Sequence, residues 1–299
     1  MLKKFKSAVI IGFGSIGKRH YKILIKNNYF EKVFVLSKRK LNIKNCIHKI
    51  NDLKNIDPDY FILCSETNQH YKQLNYINKN FKKKKILVEK PIFEKFRKLV
   101  LKNKNKVYVA YNFRFHPIIK KIKQICYKQN IFYTKVLCGS FLPSWRSDRD
   151  YTKIYSSNTR RGGGVLLDLS HELDYLKWIF GNFKVDKKIY RKISFLKTSS
   201  KDFLSINANI NNKHFFEISL NYFLKFPKRE IIIEGKSLSI YADLLKNQIV
   251  LRKKKKIKKI KFPKNSLAKS YQLEHEDVLF NKGKNICGYF DAVNITKYF

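Results

Sequence analysis

The sequence predicts an α/β fold in two domains, a doubly wound parallel sheet followed by a β-rich half that one helix interrupts. Three observations predict it. Short continuous apolar runs alternate with helix-compatible segments as far as residue 111, as buried parallel strands and their crossover helices do. A glycine-spaced turn joins the first strand to the first helix. After residue 130 the pattern changes to alternating or β-branched stretches. At 299 residues the chain is long enough for two domains that each bury a core.

Ala8-Val9-Ile10-Ile11 is the first buried strand. The preceding Met1-Leu2-Lys3-Lys4-Phe5-Lys6 gives the start a superficial likeness to a signal peptide. The apolar core is short, however, and Lys18-Arg19-His20 follows where a small-residue cleavage site belongs, so the segment reads as a strand. It runs into Gly12-Phe13-Gly14-Ser15-Ile16-Gly17 and then into helix-compatible Lys18 to Leu24. Strand, G-x-G-x-x-G and helix together form the dinucleotide fingerprint. The first glycine makes the tight turn, the second lets backbone N–H groups reach a pyrophosphate, and the third lets the helix pack closely. The next strand, Lys32 to Leu36, ends in Ser37-Lys38-Arg39-Lys40. An NAD-specific site places a carboxylate there for the ribose 2′-hydroxyl. Its absence, with Ser37, Lys38 and Arg39 able to hold a 2′-phosphate, favours NADP over NAD.

Asp59 to Cys64 reads as another buried strand, leading to Ser65-Glu66-Thr67-Asn68-Gln69-His70. Ile86-Leu87-Val88 leads to Glu89-Lys90-Pro91, where Pro91 stops the strand and can be preceded by a cis bond. Open α/β sheets bind ligands at the carboxyl ends of their strands, so Cys64, Ser65, Thr67, His70, Glu89 and Lys90 join the candidate cofactor-binding residues. A further strand, Val107 to Tyr111, ends at Asn112-Phe113-Arg114-Phe115-His116-Pro117. These segments place a dinucleotide-binding domain at 1–116 and a second domain at 117–299. In the second, β-rich stretches run over 131–142, 204–223, 230–242 and 248–262, and a helix over about 165–180. Ahead of that helix stand Gly162-Gly163-Gly164, and along it Asp168, His171 and Asp174 recur every three residues, so that neighbours share a helix face. An imidazole beside a carboxylate is what proton transfer requires.

Composition narrows the classes. No apolar run is long enough to span a membrane. Five scattered cysteines without a C-x-x-C pair fit reduced thiols in a cytoplasm rather than a disulfide framework or a zinc site. The net charge of +43 raises the possibility of a nucleic-acid partner, above all through Arg252 to Phe262. Basic residues are spread along the whole chain, however, and Lys, Asn and Ile, which share A/T-rich codons, are abundant together. No aromatic residues interleave the basic run. Anionic small molecules are the better expectation for such a charge.

The glycine loop, Glu89-Lys90-Pro91, Tyr111 to Pro117 and the glycine-led helix carrying Asp168 and His171, in that order, resemble the Gfo/Idh/MocA family, the glucose–fructose oxidoreductase and inositol dehydrogenase group. Leu142-Pro143-Ser144-Trp145-Arg146 through Asp150-Tyr151 to Ser170-His171-Glu172-Leu173-Asp174 resembles a branch acting in surface-polysaccharide sugar metabolism. The resemblance implies an N-terminal Rossmann domain and a C-terminal α+β domain built on a large, mainly antiparallel sheet, whose open face makes a homodimer or homotetramer. It implies hydride transfer between a nicotinamide and a sugar or nucleotide-sugar, with Lys90, Asp168 and His171 catalytic. Arg114, His116, Trp145, Arg146, Tyr151 and Asp174 become candidates for substrate contact or site support. Asp168 and His171 are three residues apart here, against four in the family, which leaves Asp174 or Glu172 as alternative partners for the imidazole. The family also closes on a longer helical segment than residues 291–299 supply. A non-catalytic dinucleotide- and sugar-binding regulator of the same fold is the alternative reading.

Overall fold

The computed structural model describes residues 4–146 and 148–299, so Met1 to Lys3 of the signal-like start lie outside the described residues. The chain divides into two compact units. One runs to Asn112 and is completed by Tyr271–Lys297; the other is Phe113–Ser270.

In the first unit the expected strands form: β1 (Phe5–Ile11), β2 (Phe30–Leu36), a short β3 (Cys46–Ile47), β4 (Tyr60–Leu63), β5 (Lys85–Val88) and β6 (Lys106–Val109). All of these pair in parallel, in the order β6-β5-β4-β1-β2-β3. The centre is apolar because both faces are covered: Val9, Ile10, Phe61, Ile62, Leu87 and Val88 are fully buried. The crossovers carry α1 (Ser15–Asn27), α2 (Leu53–Ile56) and α3 (Thr67–Asn80).

The second unit holds α4 (Pro117–Cys126), β7 (Ile131–Gly139), α5 (Val165–Asp168), α6 (His171–Phe180) and strands β8 (Lys184–Arg191), β9 (Phe203–Ile210), β10 (His214–Asn221), β11 (Lys228–Gly235), β12 (Leu238–Asp243), β13 (Gln248–Lys253) and β14 (Lys256–Lys261). These strands form an eight-stranded sheet in the order β14-β13-β12-β11-β7-β10-β9-β8. It is antiparallel except between β7 and β10. Its inner face buries Val136, Ile206, Ile218, Leu220, Ile233 and Ile240.

The chain departs from the expected 117–299 domain at its end. From Tyr271 onward, α7 (Ser266–Leu279), β15 (Cys287–Gly288) and α8 (Tyr289–Ile295) belong to the first unit. β15 adds antiparallel to β6. Tyr29 Oη donates to Glu276 at 2.8 Å, and Lys85 Nζ donates to the Leu279 carbonyl at 2.7 Å. Edge β6 thereby gains a partner, and the last turn of α7 gains a cation for one of its orphan carbonyls. Among the described residues no helix is long and apolar enough to cross a membrane.

Candidate functional site

The glycine loop is shaped by contacts on two of its glycines and by their absence at the third. Gly12 sits at φ +93°, and a Cβ there would meet the Ser65 nitrogen at 2.8 Å. A Cβ on Gly17 would meet the Gly12 oxygen at 2.2 Å. The loop and α1 are therefore as close as two backbones can be. Nothing lies within 4 Å of a Cβ built on Gly14. Gly14 and Ser15 are exposed, α1 has no side-chain N-cap, and its first turn carries no acidic residue. Open space above uncapped N–H groups and the positive end of a helix fits a dinucleotide pyrophosphate. A Gly14→Val chain should therefore fold with stability within about 0.5 kcal/mol of the parent. Its dinucleotide affinity should fall by about tenfold or more, about 1.4 kcal/mol, read by calorimetry with NAD and NADP.

Around this cradle the sequence-selected residues divide into those facing outward and those turned in. Lys38 and Arg39 are exposed, and Arg39 donates to the Phe13 carbonyl at 2.5 Å and, through its backbone N–H, to Ser37 Oγ at 3.1 Å. Phe13 packs edge-on against Tyr21. Cys64, Thr67, His70 and Glu89, by contrast, are buried. His70 lies 3.1 Å from both the Ser65 and Pro91 carbonyls and so braces the loops that follow β4 and β5, and burial lowers its pKa. Ser65 Oγ donates to Gln73 at 2.6 Å. Glu89 turns toward His20, with Oε1 2.7 Å from Nε2, while Oε2 accepts the Lys90 N–H at 3.1 Å. Lys90 stands just past the end of β5, half-buried, and its bond to Pro91 is cis, the conformation that proline permits there.

In the second unit the expected single helix over about 165–180 is two helices, so Asp168 and His171 stand on either side of a break. α5 ends at Asp168, and α6 begins at His171. Leu169 leaves the helical region at φ −103°, ψ +26°, and Ser170 Oγ donates back to the Leu167 carbonyl at 3.1 Å. A serine that bonds the carbonyl three residues back competes with the helix ladder at that point. Asp168 accepts from Tyr222 Oη at 2.5 Å, and Tyr222 packs edge-on against Trp145. Burial first, then Asp168, push the Tyr222 hydroxyl well above its ordinary pKa, and the same two causes push Tyr190 to about 12. The His171 ring centroid is 4.9 Å from that of Phe113, which stacks on His116 and lies under the Arg229 guanidinium at 4.0 Å.

The two carboxylates offered as alternative partners for His171 each face an arginine. Glu172 pairs with Arg229 at 2.7 Å, and Asp174, fully buried, takes a bidentate grip from Arg114 at 2.6–3.0 Å. His116 caps α4, with Nδ1 accepting the Ile118 N–H at 3.3 Å; burial, and then Arg229, push its pKa down to about 4. Arg114, His116 and Asp174 thus sit inside the unit as supports. Trp145 donates to Ser140 Oγ at 2.7 Å, Tyr151 Oη accepts the Lys197 N–H at 3.1 Å, and Arg146 is exposed. Sequence reasoning passed over Tyr222, just past the end of β10, and Arg229 on β11, neither of which carries a motif of its own.

Comparison with known proteins bears on the whole chain. Residues 6–111 match the family model described as an oxidoreductase family with an NAD-binding Rossmann fold. No curated protein matches the chain. Among solved structures, an inositol dehydrogenase homolog complexed with NAD+ from Azotobacter vinelandii superimposes with a TM-score of 0.80 at 12% identity, over 99% of this chain and 93% of that one. UDP-N-acetylglucosamine 3-dehydrogenase from Acidithiobacillus ferrooxidans gives 0.77 at 15%, over 98% and 94%. An oxidoreductase from Thermotoga maritima gives 0.81 at 19%, over 99% and 94%. At these identities the likeness to solved structures is one of fold, extending through both units. Residues 6–111 therefore match an oxidoreductase family with an NAD-binding Rossmann fold, and beyond them the likeness is one of fold.

Proposed function

We propose that the protein transfers hydride between a nicotinamide dinucleotide and a hydroxyl or carbonyl of a sugar or nucleotide-sugar, in the cytoplasm. The observation that carries this reading is the carboxyl edge of the seven-stranded sheet. The open cradle at Gly14 follows β1, and Lys90 follows β5, two strands away in the order β5-β4-β1. At the usual strand spacing that is about 10 Å, short enough for one extended dinucleotide to reach both. When bound, the dinucleotide accepts or supplies the hydride; the protein orients the partners and handles the proton. In oxidation, His171 takes the hydroxyl proton, since an imidazole changes charge near neutral pH. Lys90 donates a hydrogen bond to the same oxygen and stabilises its negative charge, and Asp168, held by Tyr222, supports the base. Five cysteines outside any disulfide among the described residues support a reducing compartment. A homodimer or homotetramer is supported by the outer sheet face, where β10 exposes Phe215 beside half-buried Tyr133 and Leu137 of β7.

NADP is the proposed cofactor. Arg39 and Ser37 are joined at the end of β2, beside the glycine loop, and that end carries no carboxylate. The test is thermal stabilisation by NADP and NAD at equal concentration, followed by turnover on free and nucleotide-linked sugars. NADP should raise Tm more, and Arg39→Ala should erase the difference, a loss of about tenfold in NADP affinity or about 1.4 kcal/mol. Equal stabilisation of the parent by the two cofactors removes the 2′-phosphate reading. Binding of cofactor and sugar without turnover would make the protein a regulator.

A further inference from the structure

A chain of buried polar groups runs through the first unit behind the carboxyl edge. Tyr60 Oη lies 3.0 Å from His275 Nδ1, His275 Nε2 lies 2.7 Å from His20 Nδ1, and His20 Nε2 lies 2.7 Å from Glu89 Oε1. Glu89 Oε2 then accepts the Lys90 N–H at 3.1 Å. Tyr60, His20 and His275 are completely buried and Glu89 is 7% exposed. The four side chains come from β4, α7, α1 and the loop after β5, and α1 is the helix that opens at the dinucleotide cradle.

One consistent set of donors and acceptors runs through this chain. A backbone N–H can only donate, so Glu89 Oε2 faces Lys90 as an acceptor. With Glu89 Oε1 accepting from His20 Nε2–H as well, His20 Nδ1 is left as an acceptor. His275 must then donate from Nε2 and accept at Nδ1, and Tyr60 supplies the last donor. Each group then has one role, with the His275 ring neutral. Burial and the facing His20 both depress the His275 pKa, in keeping with that neutral form.

The facing acidic and ring groups in this cluster bear on what occupies it. Glu274 is fully buried, and neither of its carboxylate oxygens has a hydrogen-bond partner among the described residues. Burial, and then Glu89, push its pKa well up. His20, Glu274 and His275 each offer one ligand atom within 4.8 Å of the others, which raises the question of a metal. Two nitrogens on a tetrahedral zinc, with bonds of about 2.05 Å, stand about 3.3 Å apart. The 2.7 Å between the two rings is the distance of a shared proton instead.

We propose that Tyr60, His275, His20 and Glu89 are positioning residues that fix the backbone at Lys90 relative to α1, so that the lysine keeps a set distance from the dinucleotide cradle. This rests on the reading of Lys90 given above. It also makes the returning α7 part of the site, although α7 carries none of the groups proposed to touch substrate.

The experiment compares His20→Gln with His20→Asn, and adds Tyr60→Phe, which removes a single hydroxyl and keeps the packing. Gln places its amide nitrogen where Nε2 stands and keeps the donor to Glu89; Asn does not reach. Hydrogen exchange of the peptide spanning 88–92 and, separately, kcat and KM are measured on the full chain. His20→Asn should speed exchange at the Lys90 amide about tenfold and lower kcat with a smaller change in KM. His20→Gln should recover both, and Tyr60→Phe should shift exchange in the same direction by less. Equal exchange in the Asn and Gln variants, or a loss of Tm alone, overturns the proposal. If the parent turns over no sugar, the reading of Lys90 chemistry fails, while the exchange comparison still decides whether the chain positions this loop.

Discussion

Replacing Arg114 by Met should destabilise the protein by about 3–5 kcal/mol, the usual result of removing one partner from a buried ion pair. Asp174 is fully buried and receives three N–H···O contacts from Arg114, with Nε at 3.0 Å from both oxygens and Nη2 at 2.6 Å from one. Without the guanidinium, an uncompensated carboxylate remains in the first turns of α6. Lys123 does not replace it: its ammonium is committed to the Trp178 carbonyl at 2.6 Å and to the face of that indole. The double variant Arg114→Met/Asp174→Leu removes both charges and should recover most of the loss, to within about 1–2 kcal/mol of the parent. Urea denaturation with the slope held constant checks both numbers. A single-variant loss under about 1 kcal/mol would mean that Asp174 finds another partner or a proton.

That pair also shows which parts of the site could be read in advance. The strands of the first unit were legible because each is covered on both faces and therefore continuous in apolar residues, as in Ala8 to Ile11 and Tyr60 to Leu63. The glycine loop was legible because its spacing is imposed by backbone contacts within a few residues of chain. β8 was not. Lys184–Arg191 is an edge strand with mostly exposed side chains, so neither alternation nor apolar content marked it. The break between α5 and α6 was also hidden. Leu169 and Ser170 are both compatible with a helix interior, and the bond from Ser170 to Leu167 lies at the break between the two helices.

Residues far apart in sequence were the least accessible. Arg114 and Asp174 each stand in a stretch that marks them as candidates, yet nothing local says that each is the other's partner. The place of Glu89 before Lys90 points to the cofactor. Its carboxylate is instead engaged by His20, and beyond that by His275, which lies on the helix that returns to the first unit. A histidine on the inner face of α1 and a His–Glu pair near the end of the chain carry no pattern that joins them. Local pattern locates the elements and the loops between them, whereas the pairing of buried charges depends on topology.

Lys90→Met should reduce turnover by about 10²–10⁴-fold, the range over which a positioned proton donor or acceptor acts, while leaving dinucleotide affinity within about twofold. The substitution keeps the length and apolar stem of the side chain and removes only the ammonium. The backbone contact of residue 90 with Glu89 Oε2 survives, as does the chain of histidines behind it, so the loop should keep its place. The glycine cradle is two strands away and is built from backbone, so binding of the pyrophosphate should not register the change. The loss should therefore fall on kcat, measured with saturating cofactor on whichever sugar the parent oxidises or reduces, with cofactor binding followed separately by fluorescence. A loss of cofactor affinity equal to the loss of turnover would recast Lys90 as a cradle residue. Near-normal turnover would remove it from the chemistry and leave His171 to handle the proton without it.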